Sequence, residues 1–263
     1  QINGEMISKE EFARLAGTVK LVCEQMSDPP SEFEKAVALA FLYFSQNNCN
    51  LVVLEVGLGG MDDATNVIKT PEVAAIVNID YDHMGFLGDT LSQIAEKKAG
   101  IIKEGGVVVV SKQKEEVMDV LLETCEKQHA NLINASNSQI KVRKKSLDGQ
   151  CFDYERKNGT STKELQQLKL SLLGDHQRGN AAVVLEIIEC LNSKGYHISE
   201  DAIHKGMKSV RWPGRFEVVS RNPLIIVDGA HNPDGIHALY HNLMEYCPGK
   251  KFVFITGILK DKN

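Results

Sequence analysis

The sequence predicts a layered α/β fold built on a largely parallel sheet. Three observations carry that expectation. Short apolar runs of strand length alternate with amphipathic stretches of helix length along most of the chain. Several apolar runs end in acidic or polar residues followed by a turn-prone loop, as in LEVGLGG (54–60), VNIDYDH (77–83) and VDGAHNPDG (227–235). Finally, RWPGRFE (211–217) interrupts the pattern with Trp212, Pro213 and Gly214, after which a new strand–loop–helix unit begins, so a domain junction is placed near Pro213.

Each element has a local reason. Ser8 followed by Glu11 fits a capping box, opening a helix that runs to about Met26. Pro29 and Pro30 break the chain. Ser31 and Glu34 repeat the capping pattern ahead of Phe33, Val37, Phe41 and Phe44, an apolar stripe at helical spacing. LVVLEV (51–56) and VAAIVNI (73–79) read as buried strands, Thr90 to Lys98 as a helix, VVVV (107–110) as a third strand and Lys114 to Ala130 as an amphipathic helix. Residues 131–172 change character. Runs such as IKVRK and CFDYER, with turn signals at Asp148-Gly149 and Asn158-Gly159, predict antiparallel β-structure. Helices are expected at about 178–194 and 199–209, and LIIV, a loop and HALYHNL then give strand, loop and helix. KFVFITGIL (251–259) is strand-like.

The bulk properties bound the function. The 263 residues suffice for one large or two ordinary domains, and 43% hydrophobic residues can fill their cores. A net charge of -5 argues against a general nucleic-acid or membrane-surface binder, so an anionic ligand would need a local pocket of N–H groups, Arg, Lys or metal. The six cysteines form no C-x-x-C pair, which excludes a zinc knuckle or thioredoxin-like motif and points to reduced thiols in a cytoplasmic protein. No apolar run has transmembrane length, and no signal peptide opens the chain. The start at Gln1 and the stop at Asn263 lead us to expect part of a longer protein.

Glu55 ends an apolar strand beside Gly57, Gly59 and Gly60. A carboxylate there suits Mg²⁺ in phosphate-handling enzymes; it also suits a strand-end Glu that meets solvent or caps a helix. GLGG lacks the third glycine of the dinucleotide fingerprint, where Asp62 stands, so a nicotinamide oxidoreductase has only this fragment behind it. His83 follows the next strand. Were the two strands parallel neighbours, it would share an edge with Glu55. Asp228 and His231 end the strand of the second unit, either as a polar pair facing the junction or as part of a capped helix start. His237 and His241 are four apart but lack an H-E-x-x-H context, and are assigned as surface or partly packed residues. GDHQRGN (174–180) leads into a helix whose N–H groups fit either an anion or a simple cap.

Seven motifs occur in one order: SEFE, LEVGLGGMDDATNV, DHMGFLG, KKAGIIK, GDHQRGNA, RWPGRFE and DGAHNPDG. Together they resemble folylpolyglutamate synthase, including the bifunctional dihydrofolate/folylpolyglutamate synthases of the Mur ligase superfamily, from INGEMIS to GILKDKN. The resemblance implies a Mur ligase-like P-loop ATPase domain, truncated at its N-terminus, over residues 1–213, and a partial Rossmann-like glutamate-ligase domain from 214 to 263. It implies ATP- and Mg²⁺-dependent ligation of L-glutamate to a folate through an acyl phosphate, by a monomer. Glu55, His83 and a carbamate on Lys98 are implied metal ligands. Asn180, Arg215 and Asp228 are implied ATP contacts. Ser31, Glu32, Phe33 and Glu34, with Asp62, Asp63 and Ala64, are the implied pterin-binding segments. Lys98 and His231 fall among the catalytic positions.

The departures are specific. The G-T-x-G-K-G-[ST] phosphate loop is absent, so truncation is expected, together with inactivity of the chain as it stands. Met61 stands where the family usually has Arg, and Asn50 where it commonly has Asp. A Mur-type peptidoglycan ligase and a non-catalytic pterin-binding module are the alternative functions.

Overall fold

The computed structural model describes residues 1–158 and 161–257. The expected turn at Asn158-Gly159 and the end of KFVFITGIL lie outside the described residues. The chain divides into two compact units, residues 1–69 and 70–263.

In the first unit, helix α1 spans Lys9–Cys23, stopping short of the expected Met26. Ser8 caps it, its hydroxyl accepting the Glu11 N–H at 3.1 Å, but the box is not reciprocated because the Glu11 carboxylate pairs with Arg14 instead. Helix α2, Glu32–Gln46, has the full box: Ser31 Oγ accepts the Glu34 N–H, and the Ser31 N–H donates to Glu34 Oε2 at 2.7 Å. A 3₁₀ turn follows at Ala64–Val67. The expected buried strand at 51–56 is not formed. Residues 51–56 join no ladder, and Val53 is 89% exposed. A continuous apolar run becomes a strand only where a neighbouring backbone accepts and donates the ladder hydrogen bonds.

In the second unit, β1 (Ala74–Ile76), β2 (Val107–Val110) and β3 (Asn131–Asn134) form a parallel sheet in that order. Here β3 departs from expectation, since 131–134 opens the region predicted to be antiparallel. The amphipathic helix α5 (Glu115–Lys127) returns the chain for a parallel β–α–β crossover, and antiparallel pairing starts only afterwards. β1 is also shorter than 73–79, because a side chain replaces the ladder beyond Ile76. Gln113 donates to Val77 O at 2.9 Å and accepts the Ile79 N–H at 3.1 Å.

The pleat sorts the sheet's side chains between two cores. Val108 and Val110 pack with α5 and with α4 (Leu91–Ala99), while Val109 packs on the opposite face. That second core lies beneath an antiparallel meander of β4 (Gln139–Ser146), β5 (Gly149–Asn158) and β6 (Ser161–Leu170), with helices α6 (Asp175–Ser193) and α7 (Glu200–Ser209). The short helix α3 (Met84–Leu87) follows the loop after β1. The hairpin β7 (Glu217–Arg221) and β8 (Leu224–Val227) precedes helix α8 (Pro233–Tyr246). The expected strand at the end is absent over 251–257, where Val253 and Ile255 are almost fully exposed.

One buried charge holds the meander to α6. Glu186, 1% exposed, accepts from Ser138 Oγ and Tyr154 Oη through Oε1, each at 2.6 Å. Its Oε2 faces Arg156 Nε at 2.8 Å as an ion pair without hydrogen-bond alignment. Glu186→Ala is expected to destabilise the second unit by about 3 kcal/mol, since Ser138 and Tyr154 can still bond each other but one hydroxyl proton and the Arg156 cation lose their acceptor. Denaturant titration would measure the loss, and a change below ~1 kcal/mol would show that water replaces the carboxylate.

Candidate functional site

The first unit carries the SEFE segment, Glu55 and the glycine loop. Ser31 and Glu34 are engaged in capping α2, whereas Glu32 pairs with Lys35 at 2.7 Å. Phe33 turns its ring over Gly57, where a Cβ would lie 2.5 Å from Phe33 Cζ, so glycine is what lets ring and backbone approach. Phe33, Phe41, Phe44 and Val53 line an open, largely apolar groove of about 240 Å³, to which Glu55 and Thr65 add the polar residues. Asp62 is exposed, Ala64 begins the 3₁₀ turn, and Met61 presents its side chain to solvent.

Asp63 organises the loop. Its Oδ2 accepts the N–H groups of Gly57 and Leu58 at 3.0 and 2.9 Å, and its Oδ1 accepts the Thr65 N–H and hydroxyl at 2.9 and 2.5 Å. Burial opposes ionisation of this carboxyl, but the hydrogen bonds from Thr65, Leu58 and Gly57 outweigh it and hold the pKa below its ordinary value. Below the ordinary Asp range, the unfolded chain therefore binds more protons than the folded one. The first unit is expected to lose this stabilisation as pH falls from that range through the depressed folded value. Asp63→Asn should remove that part of the pH dependence and cost about 1–2 kcal/mol at neutral pH. Thermal melts of both proteins across acid pH would test it.

In the second unit, the loop after β1 supplies Asp82 and His83. His83 has left-handed backbone, φ 50°, and sits at the start of α3 with its ring half exposed. Asp82 Oδ1 accepts the His83 N–H at 2.9 Å, and Asp82 Oδ2 accepts from Asn232 Nδ2 at 3.2 Å. Lys98 lies in the last turn of α4. Burial lowers its pKa, and the nearby Asp82 charge only partly offsets this, so its amine is shifted toward the neutral form.

The GDHQRGN segment forms the start of α6. Gly174 occupies the cap position with φ 106° and supplies no side-chain cap, leaving first-turn N–H groups without a capping side chain. His176 is accessible to solvent yet crowded by protein. Desolvation lowers its pKa, Asp228 opposes the shift, and Arg215 reinforces it. The charges of Arg215 and Asp228 are thus both felt at His176, in the first turn of α6. Asp228 is tied to the local backbone, accepting the N–H groups of Phe216 and Ala230, each at 2.8 Å. Phe216 is buried in left-handed backbone at φ 46°, an unusual state for a bulky residue that the Asp228 bond secures. His231 lies 2.8 Å from Gly229 O through Nδ1; a protonated Nδ1 donates there and leaves Nε2 as the acceptor of the neutral ring. Asn180, one turn into α6, donates to Gln177 at 3.3 Å.

The structure therefore ties Asp82 and His83 to Asn232, holds Asp228 against the backbone of Phe216 and Ala230, and places Lys98 in the last turn of α4. Glu55 and the pterin segments belong to the first unit. Sequence reasoning missed His176, Asp82 and Asn232 as site residues, although all three lay inside quoted motifs. Among the described residues, no three His, Cys, Asp or Glu side chains form a metal-sized cluster. Mg²⁺ commonly takes only one or two carboxylates together with waters and substrate phosphates, so an open donor set is compatible with it.

A parallel α/β core with an uncapped helix start after an antiparallel meander defines the class of fold, and its sequence patterns define the family. The sequence pattern of the Mur ligase middle domain matches residues 4–188, and that of the Mur ligase glutamate ligase domain matches 214–263. The chain belongs to the Mur ligase family. It is 35% identical over 268 residues to the dihydrofolate synthase/folylpolyglutamate synthase of Bacillus subtilis, covering 99% of this chain and 61% of that protein. The folylpolyglutamate synthase structure from Thermotoga maritima superposes with a TM-score of 0.86 at 36% identity, over 100% of this chain and 60% of that one. A folylpolyglutamate synthase complex with AMPPCP and folate superposes with a TM-score of 0.82 at 32% identity, over 90% and 57%. The chain thus spans about three fifths of the length of these relatives. Among the described residues, no helix is long and apolar enough to cross a membrane.

Proposed function

We propose that this chain belongs to an ATP-dependent ligase that adds L-glutamate to a folate, with tetrahydrofolate as acceptor and dihydropteroate as a second acceptor to be tested. The observation that carries this reading is the start of α6, where no side chain caps the first-turn N–H groups and the charges of Arg215 and Asp228 act on His176. A helix start with available N–H groups and an arginine suits a nucleotide phosphate, and Asn180 on the same helix suits its base. The similarity to synthases solved with AMPPCP and folate supports the same assignment.

In the proposed reaction, a folate carboxylate oxygen attacks the terminal phosphorus of ATP, giving an acyl phosphate and ADP. The glutamate amine then attacks the carbonyl carbon, and phosphate leaves as the amide forms. Arg215 neutralises charge on the transferring phosphoryl group, and His231 lies at the junction on the nucleotide side. Glu55, His83 and Lys98 as its carbamate would hold Mg²⁺, which when bound supplies charge neutralisation and orientation of the phosphates. Carbamate formation joins a neutral amine to CO₂ and releases a proton, and the burial of Lys98 favours that neutral amine. The apolar groove beside Phe33 and Glu55 suits the flat pterin ring, and the SEFE and Asp62–Ala64 segments flank it. The protein is proposed to act as a cytoplasmic monomer.

The test is direct. Full-length protein would receive ATP, Mg²⁺ and glutamate with either tetrahydrofolate or dihydropteroate, and mass spectrometry would follow the pterin. Gain of a glutamyl unit on tetrahydrofolate is the expected result. Addition to neither pterin, with folded protein, would overturn the assignment, and turnover of a UDP-linked peptide acceptor would replace it with a Mur-type ligase.

A further inference from the structure

Helix α8 is anchored at both ends, and each end meets a different part of the candidate site. At its start, Asn232 uses both halves of its amide. The oxygen caps the helix, accepting the Gly235 N–H at 2.8 Å, while Nδ2 donates to Asp82 Oδ2 at 3.2 Å. Asp82 in turn accepts the His83 N–H. At its end, the Tyr246 hydroxyl accepts the Gly174 N–H at 3.2 Å, and Glu245 pairs with Lys145, which also reaches Asp175 at 3.3 Å. The 14 residues of α8 span roughly 21 Å at about 1.5 Å per residue, so one stiff rod joins the loop after β1 to the start of α6.

We propose that α8 is a strut and that Asn232 is its positioning residue, setting the Asp82–His83 loop in register with the start of α6. The functional meaning rests on the reading above, in which that loop and α6 are two sides of one ligase site. Phosphoryl and acyl transfer demand such register, since a misplacement of about 1 Å costs on the order of 10²-fold in rate. Capping and positioning are separable at Asn232. Serine and aspartate cap a helix about as well as asparagine, but serine is too short to reach Asp82 and aspartate has no donor to offer it.

The experiment is hydrogen exchange of the full chain, read by mass spectrometry, for Asn232→Ser, Asn232→Asp and Tyr246→Phe. Both Asn232 variants are expected to speed exchange of the 82–88 amides about tenfold and to speed that of 174–178 severalfold, with the first turn of α8 within about twofold of the parent. Tyr246→Phe keeps the aromatic contact with Phe216 but loses the hydroxyl acceptor, and is expected to speed exchange at 82–88 as well as at 174–178. Changes confined to α8 would make Asn232 a helix cap only and overturn the proposal. Faster exchange at 82–88 without any change at 174–178 would also overturn it, because the two ends would then be uncoupled. Exchange requires no turnover, so a failure of glutamate transfer and a failure of the strut are separate outcomes.

Discussion

Gly174→Ala is expected to destabilise the second unit by about 3 kcal/mol, the sum of a backbone term and a packing term. The backbone term arises because Gly174 has φ 106° and ψ 154°, a region open in practice only to glycine. The packing term arises because a Cβ there would lie 2.7 Å from Asn242 Oδ1 and 2.7 Å from His176 Cε1. The His176 ring can turn toward solvent, but Asn242 cannot retreat easily. Asn242 is only 3% exposed, and the Gly174 backbone is pinned from both sides by Tyr246 and by Gln150 Nε2, which donates to Gly174 O at 3.0 Å. The same substitution displaces His176 and the first turn of α6, so nucleotide affinity should fall together with stability. Urea unfolding and titration with an ATP analogue would measure the two effects. Unchanged stability would mean that α8 yields at its C-terminal end.

Lys98→Met is expected to have the opposite profile, with little loss of stability and a large loss of turnover. The buried ammonium is disfavoured where it stands, as its lowered pKa records, and methionine fills nearly the same volume without a charge to desolvate. Stability should therefore stay within about 1 kcal/mol of the parent. Linkage gives a second signature. Because the folded pKa is depressed, the unfolded chain holds more protons between the folded and ordinary lysine values, so parent stability rises with pH across that window. The Met variant should lack this rise. Glutamate transfer should fall on the order of 10²–10³-fold, the usual consequence of losing one preorganised charge at a phosphoryl-transfer site. Turnover within a few-fold of the parent would remove Lys98 from the proposed metal site.

Local signals were legible where a single element satisfies its own chemistry. The box at Ser31 and Glu34 needs only the first turn of α2, and it forms as expected. At Ser8 the same pattern is only half realised, because Arg14 takes the Glu11 carboxylate that would have completed it. The run at 51–56 carries an equally plain strand pattern and forms none, since a strand requires a partner backbone that its own residues cannot supply. The shortening of β1 was hidden for a related reason. Gln113 is a polar residue in a loop by pattern, and only its position in space lets its amide stand in for the ladder.

By itself the sequence determined the alternation of helices and parallel strands and the order of motifs that marks a Mur ligase. These depend on periodicity and on short-range backbone preferences, which each segment carries alone. Tertiary structure decided which polar residues meet. Asp82 finds Asn232 from 150 residues away, Glu186 gathers Ser138, Tyr154 and Arg156 into one buried charge, and Asp228 reaches the backbone of Phe216. Such pairings are set by the packing of apolar faces, and the polar contacts form only where that packing brings their donors and acceptors together.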